Sequence, residues 1–299
     1  MSKVLIICGA TASGKTSLSV ECAKLLNTEI ISADSMLVYQ GLNIGTAKPT
    51  DSERQGVKHH LIDVVSPGDS FSVSDYEARA LPIVQELLAQ GKTPIVCGGT
   101  GFYVNALLYK SQFGNVGASE EIRAKYEKLQ KEYGNGYLHA LLREKDPQSA
   151  EKLHENDVKR VIRALEIFDL TGKPKSTQGD SLTPRFDFVA VSIDYPREML
   201  YERINLRVEK MFQDGLLQEV RALLDGGITQ DKQCMQGIGY KEVAEGLACG
   251  WSEGEIKELI KKNTRNYAKR QITFFKRLQN HVQLTPQDAT AENVIKLLQ

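Results

Sequence analysis

The sequence predicts an α/β fold: a parallel sheet flanked by helices and interrupted by an all-helical insertion. Three observations carry that expectation. Apolar runs alternate with amphipathic stretches over the first hundred residues, the pattern of βαβ units. A glycine-rich octet, Gly9 to Thr16, separates the first apolar run from the first helical pattern. Between about 111 and 185 helical periodicity continues without a convincing buried strand, although both flanks carry strand-like segments. The expected organisation is therefore a core built from 1–110 and 186–299, with 111–185 as a helical insertion.

Strands are expected where short apolar runs end in polar or small residues: Val4–Cys8, Glu29–Ser32, Leu61–Val65 and Pro94–Cys97, then Phe186–Asp194 and His281–Leu284. Helices are expected at Ser17–Leu26 and Asp75–Gln90, with Pro82 near the first or second turn of the latter and so favouring a late start or a kink. Asn156-Asp157 offer an N-cap to Val158–Leu170, and Gly172 with Pro174 ends it. Further helices are expected at Arg197–Gln213, Leu216–Leu224 and Glu253–Leu278.

Composition narrows the class. The 299 residues carry 38 Lys+Arg and 38 Asp+Glu, a net charge of zero, which argues against nucleic-acid binding by bulk charge. No apolar run approaches the ~20 residues that span a bilayer. Five cysteines without a C-x-x-C pair read as buried apolar residues in a reducing compartment, so a cytoplasmic protein is expected. The balance hides one local excess: Lys257–Arg277 holds eight basic residues against one Glu. Lys257, Lys261, Arg265 and Lys269 recur every fourth residue on one helix face, either a solvated surface or a polyanion contact.

The octet Gly9-Ala10-Thr11-Ala12-Ser13-Gly14-Lys15-Thr16 matches G-x-x-x-x-G-K-[ST] in the required strand–loop–helix setting. Glycines let backbone N–H groups converge on phosphate oxygens, and the helix points its positive end at the same place. Lys15 supplies a mobile charge, and the Thr16 hydroxyl is a candidate Mg²⁺ ligand. Asp34 sits beyond the second strand, at the edge where α/β sheets bind ligands. It suits a water-mediated Mg²⁺ contact, a proton acceptor, or an Asx turn. Gly98-Gly99-Thr100-Gly101 ends another strand at the same edge, where Thr100 offers a hydroxyl. His59-His60 lack a third ligand nearby and read as a structural or surface pair. Trp251, Tyr195, Tyr201 and Tyr240 show no interpretable pattern.

Together these segments resemble the bacterial tRNA dimethylallyltransferases. The similarity runs in order through Gly9–Thr16, Asp34–Gln40 (DSMLVYQ), Asn43–Pro49 (NIGTAKP), His59–Asp63 (HHLID), Gly98–Tyr103 (GGTGFY), Asn156–Lys173 and Asn263–Thr273 (NTRNYAKRQIT). The resemblance implies a P-loop NTPase-like fold and transfer of a dimethylallyl group from dimethylallyl diphosphate. The acceptor it implies is N6 of the adenine 3′ of the anticodon in tRNAs that read codons beginning with U. It assigns Asp34 as general base, Thr100 at the reacting centre, and Arg207 with the P-loop and Mg²⁺ on the diphosphate. Asp34, Ser35, Met36, Leu37 and Thr100 fall where the target nucleotide is expected. Arg123, Lys159, Arg160 and Arg163 on the insertion, and Lys261, Arg265 and Lys269 on the basic helix, are the expected RNA contacts. The eukaryotic branch's C-terminal zinc finger has no counterpart here, so no zinc is expected, and one chain of this size is expected to act as a monomer. Two other readings stay open at this point: a P-loop kinase of a metabolite or nucleotide, and a non-catalytic RNA-binding regulator.

Overall fold

A computed structural model describes residues 3–110, 117, 119–177 and 183–299. The expected start of the insertion, at 111, lies outside them. The chain divides into two compact units, Met1–Leu108 with Phe186–Gln299, and Tyr109–Arg185.

The first unit holds six strands: β1 Val4–Cys8, β2 Ile30–Ser32, β3 His59–His60, β4 Ile95–Cys97, β5 Phe188–Ile193 and β6 His281–Leu284. Their order is β3-β2-β4-β1-β5-β6, and every neighbouring pair is parallel. The helices of this unit up to the insertion are α1 Lys15–Leu26, α2 Asp51–Arg54, α3 Val73–Ala89 and α4 Gly101–Leu108. After it come α9 Arg197–Gln213, α10 Leu216–Asp225, α11 Tyr240–Cys249, α12 Glu253–Phe275 and α13 Ala291–Lys296. All of β1 is buried, as a central parallel strand covered on both faces must be. Leu5 and Ile7 pack with Leu18 of α1 and Val294 of α13, whereas Ala10, just past β1, packs with Ile204 of α9 and Ala268 of α12.

Two sequence expectations change. The third strand is His59–His60, not Leu61–Val65, because Leu61 and Asp63 adopt left-handed φ of 61° and 57° and leave the extended ladder. Only Val65 pairs again, in an isolated bridge to Tyr39. Helix α3 begins earlier than expected because Ser72 and Asp75 form a capping box, so Pro82 lies in the interior of a 17-residue helix rather than near its start.

The second unit contains α5 Glu120–Tyr133, α6 Asn135–Lys145, α7 Pro147–Lys152 and α8 Val158–Thr171. Tyr126, Leu138, Leu142, Val161 and Leu165 form its core. Gly172 ends α8 at φ 67°, as expected. Asp157 occupies the N-cap position without capping; its carboxylate pairs instead with Arg160 at 3.2 Å. Arg123 and Arg163, expected to face RNA, stay partly exposed but each has a partner within its own unit. They bond the fully buried Glu166 carboxylate at 2.9 Å and 2.6 Å, and the Ser119 N–H adds a third bond at 2.7 Å. A buried carboxylate demands such partners, and these two guanidiniums are therefore internal counter-ions.

Candidate active site

The octet forms a phosphate-binding loop between β1 and α1. Gly14 takes φ 90° at the N-cap of α1, a left-handed conformation that suits glycine. No side chain caps α1 and no acidic residue occupies its first turn, leaving its leading N–H groups free for an anion. Lys15 Nζ donates to Ala10 O at 2.6 Å, and Arg203 Nε donates to Ala12 O at 2.8 Å. Burial pulls the Lys15 ammonium below the ordinary lysine range.

Asp34 follows β2, and Thr100 follows β4, its hydrogen-bonded neighbour. Asp34 Oδ1 accepts the Met36 N–H at 2.9 Å, an Asx turn that fixes the carboxylate and leaves its other oxygen without a protein donor among the described contacts. Thr100 Oγ1 accepts the Ser35 N–H at 3.0 Å and donates to Ser35 Oγ at 3.3 Å. The hydroxyl is thereby oriented beside the Asp34 turn. Arg207 of α9 donates to Thr46 O at 3.0 Å; burial lowers its pKa and the Asp34 charge opposes that shift.

Three hollows meet here. One of about 100 Å³ is bordered by Lys15, Thr16, Asp34, Leu37, Thr46 and Arg207. A second of about 400 Å³ reaches from Asp34, Ser35 and Met36 along Ile204, Val208 and Met211 to Tyr267 and Arg270. The third lies outside the P-loop, between Ala12–Thr16 and Arg203. The arrangement brings Lys15 and Arg207 to one hollow with the Asp34 carboxylate, and the aliphatic wall of Ile204, Val208 and Met211 to the next.

Several residues that build this site carry no signal in the sequence. Glu219 of α10 accepts the N–H groups of Asn43, Ile44 and Gly45 at 2.8–3.1 Å, and Tyr240 donates to the same carboxylate at 2.5 Å. These bonds hold the Asn43–Pro49 loop against the cleft; Lys48, ion-paired with Asp63, ties down its far end. Gln271 of α12 bonds both the P-loop and the Gly99 carbonyl, and Tyr267 donates to Gly99 O at 3.4 Å. Burial, with Asp34 nearby, pushes the Tyr267 phenol up to about 12, so it stays a donor.

The basic helix does not present a free face. Lys261 is only 14% exposed and pairs with Glu209 of α9 at 2.6 Å and Glu258 at 2.7 Å; Lys257 pairs with Glu209 and Glu253. Lys261 thus takes part in the α9–α12 contact and is less open to a partner than Lys269. Arg265 donates to Asn205 at 2.8 Å, while Lys269 is exposed and lies 6.0 Å from the Tyr201 ring. On the second unit Lys159 and Arg160 are exposed. His59 and His60 behave as a structural pair: His60 bonds Glu29 at 2.5 Å and His59 Nδ1 donates to Val57 O at 2.9 Å.

Thr16 stands in the first turn of α1, and among the described residues no three His, Cys, Asp or Glu side chains gather to bind a metal. No helix among them is long and apolar enough to cross a membrane.

Comparison with known proteins agrees with this geometry. The IPP transferase family model matches residues 37–278. A tRNA dimethylallyltransferase from Acetivibrio thermocellus is 48% identical over 283 residues, 94% of this chain and 90% of that protein. The crystal structure of the full-length tRNA isopentenylpyrophosphate transferase from Bacillus halodurans is 40% identical, covering 99% of this chain and 94% of its own, with a TM-score of 0.72. A eukaryotic dimethylallyltransferase acting on tRNA is 29% identical, covering 97% and 74%, with a TM-score of 0.81. The chain belongs to the IPP transferase family, the tRNA dimethylallyltransferases.

Proposed function

We propose that this chain transfers the dimethylallyl group from dimethylallyl diphosphate to N6 of the adenine 3′ of the anticodon, position 37, in tRNAs reading codons that begin with U. The product is N6-isopentenyladenosine. The observation that carries the reading is the shared cleft: Asp34 borders the same space as the P-loop and Arg207, and Thr100, at the end of the adjacent strand, is hydrogen-bonded to Ser35 beside it.

The N6 nitrogen attacks C1 of the dimethylallyl group, the C1–O bond breaks, and diphosphate departs. Asp34 accepts the N6 proton through its free oxygen, and Thr100 orients the amine. Lys15, Arg207 and the α1 amides stabilise charge developing on the leaving group. The donor set suits Mg²⁺, which keeps several waters and takes few protein oxygens alongside substrate phosphates. Thr16 would hold it, and when bound it neutralises charge on the diphosphate. The aliphatic wall of α9, Ile204, Val208 and Met211, suits a prenyl tail. To reach the cleft the adenine must leave its stack, at a cost of a few kcal/mol.

Lys159 and Arg160 of the helical unit, with Arg265 and Lys269 of α12, are the RNA contacts this reading retains; the helical unit grips the anticodon stem-loop. The reading keeps the expectation of a monomer that acts in the cytoplasm, where its tRNA substrate is found. The kinase alternative is disfavoured by the family match over residues 37–278 and by relatives that align with nearly the whole chain as tRNA dimethylallyltransferases.

The test is to incubate the protein with unmodified bacterial tRNA, Mg²⁺ and either dimethylallyl diphosphate or ATP, then analyse nucleosides by mass. Isopentenyladenosine is expected only with the prenyl donor; phosphoryl transfer from ATP without it would overturn the reading. Asp34→Ala is expected to lower turnover by about 10²-fold or more while tRNA affinity changes little. Equal losses in both would remove Asp34 from the proton-accepting role.

A further inference from the structure

Gln271 has no part in the chemistry above, yet its side chain bonds both the P-loop and the loop that carries Thr100. It is 5% exposed and lies on α12. Its Oε1 accepts the Thr11 N–H at 2.9 Å, and its Nε2 donates to Gly99 O at 3.0 Å. The orientation of the amide is unambiguous, because a backbone N–H only donates and a carbonyl only accepts. Thr11 is inside the phosphate-binding loop, and Gly99 immediately precedes Thr100. One side chain thus ties the loop that receives the leaving group to the loop that orients the attacking amine. The fit is close: a Cβ at Gly99 would collide with the Gln271 amide, so only glycine permits this approach. The tie also settles which amides serve the anion. With its Thr11 N–H engaged by Gln271, the loop presents those from Ala12 onward.

We propose that Gln271 is a positioning residue that fixes the spacing between donor and acceptor sites for in-line transfer. This rests on the prenyl-transfer reading above. Displacement at a carbon centre is sensitive to such spacing: a misplacement of about 1 Å costs on the order of 10²-fold in rate. When the amine is out of line, water is the competing nucleophile. Its oxygen bonds to C1, the C1–O bond to diphosphate breaks, and dimethylallyl alcohol and diphosphate form while the displaced proton passes to solvent. A loosened tie should therefore divert the donor as well as slow the reaction.

The test uses the full-length protein with tRNA, Mg²⁺ and dimethylallyl diphosphate, counting diphosphate released against isopentenyladenosine formed. Gln271→Met keeps the length and removes both hydrogen bonds. Gln271→Glu keeps the acceptor for Thr11 but turns a second acceptor toward Gly99 O. Wild type is expected to give one diphosphate per modified adenosine. Both variants are expected to lose about 10–100-fold in kcat, to change either KM by less than about threefold, and to release more than one diphosphate per product. Asn at this position, which is too short to span both partners, should behave like Met. Folding is checked by thermal melting, and a variant that does not fold leaves the other two to decide. Turnover near wild type, or a slowed reaction whose ratio stays at one, overturns the proposal. Wild-type protein that makes no isopentenyladenosine overturns the function reading, and this inference with it.

Discussion

Lys15 shows how burial sets the working range of a single residue. Its ammonium is held below the ordinary lysine value chiefly by burial, with Arg207 acting in the same sense. Between the lowered folded value and the unfolded one, the unfolded chain binds more protons, so the empty protein gains stability as pH rises through that window. Donor binding runs the other way, because diphosphate needs the ammonium. The KM for dimethylallyl diphosphate is expected to climb as pH rises through the lowered value, and Lys15→Arg, whose guanidinium keeps its proton, should flatten that alkaline limb. An identical limb in both proteins would show that Lys15 is not the titrating group. Residues like Lys15, Asp34 and Thr100 are legible in a sequence because the segment around each carries its own signal. Glu219 and Arg203 are not legible, because each acts on a backbone atom more than 150 residues away in the chain, and the partners of Gln271, although it lies within the Asn263–Thr273 segment, are as distant.

Elements hide their partners in the same way. The acid-free turns of α12 look like an RNA surface along the chain, but Glu209 of α9 supplies the missing acid across the helix pair. The strand cores and the Gly172 end of α8 follow from local pattern, whereas the edge strand β3 shifts because two left-handed residues, invisible to hydropathy, interrupt it. In the helical unit the decisive contact is again a long-range one. Burial alone would raise the Glu166 pKa, yet hydrogen bonds from Arg163 and Arg123 bring it below the usual glutamate range. A carboxylate with a depressed folded pKa contributes stability that is present above the unfolded value and lost as pH falls through the folded one. Glu166→Gln, which leaves two arginines without their counter-charge, is expected to destabilise this unit by about 3 kcal/mol and to flatten its acid sensitivity. Urea unfolding followed at pH 7 and pH 4 measures both, and an unchanged midpoint at pH 7 would show that the arginines find other partners.

At the scale of the whole molecule, the zero net charge describes a protein whose basic residues are matched in number by acids, several of them paired directly as on α12. If Lys159, Arg160, Arg265 and Lys269 are the four that meet RNA, the affinity for an anticodon stem-loop should fall with log salt at a slope of about −3. Lys269→Ala should reduce that slope by about 0.7, and Lys261→Ala should leave it unchanged while lowering the melting temperature. Equal effects on the slope would return Lys261 to the RNA surface. The same self-sufficiency reaches the loop between β1 and α1, where Lys15 and Arg203 donate to carbonyls of the loop itself. Any anion that recruits these two cations exchanges one set of hydrogen bonds for another, so its binding energy is the difference between the two sets and not the sum of the new one.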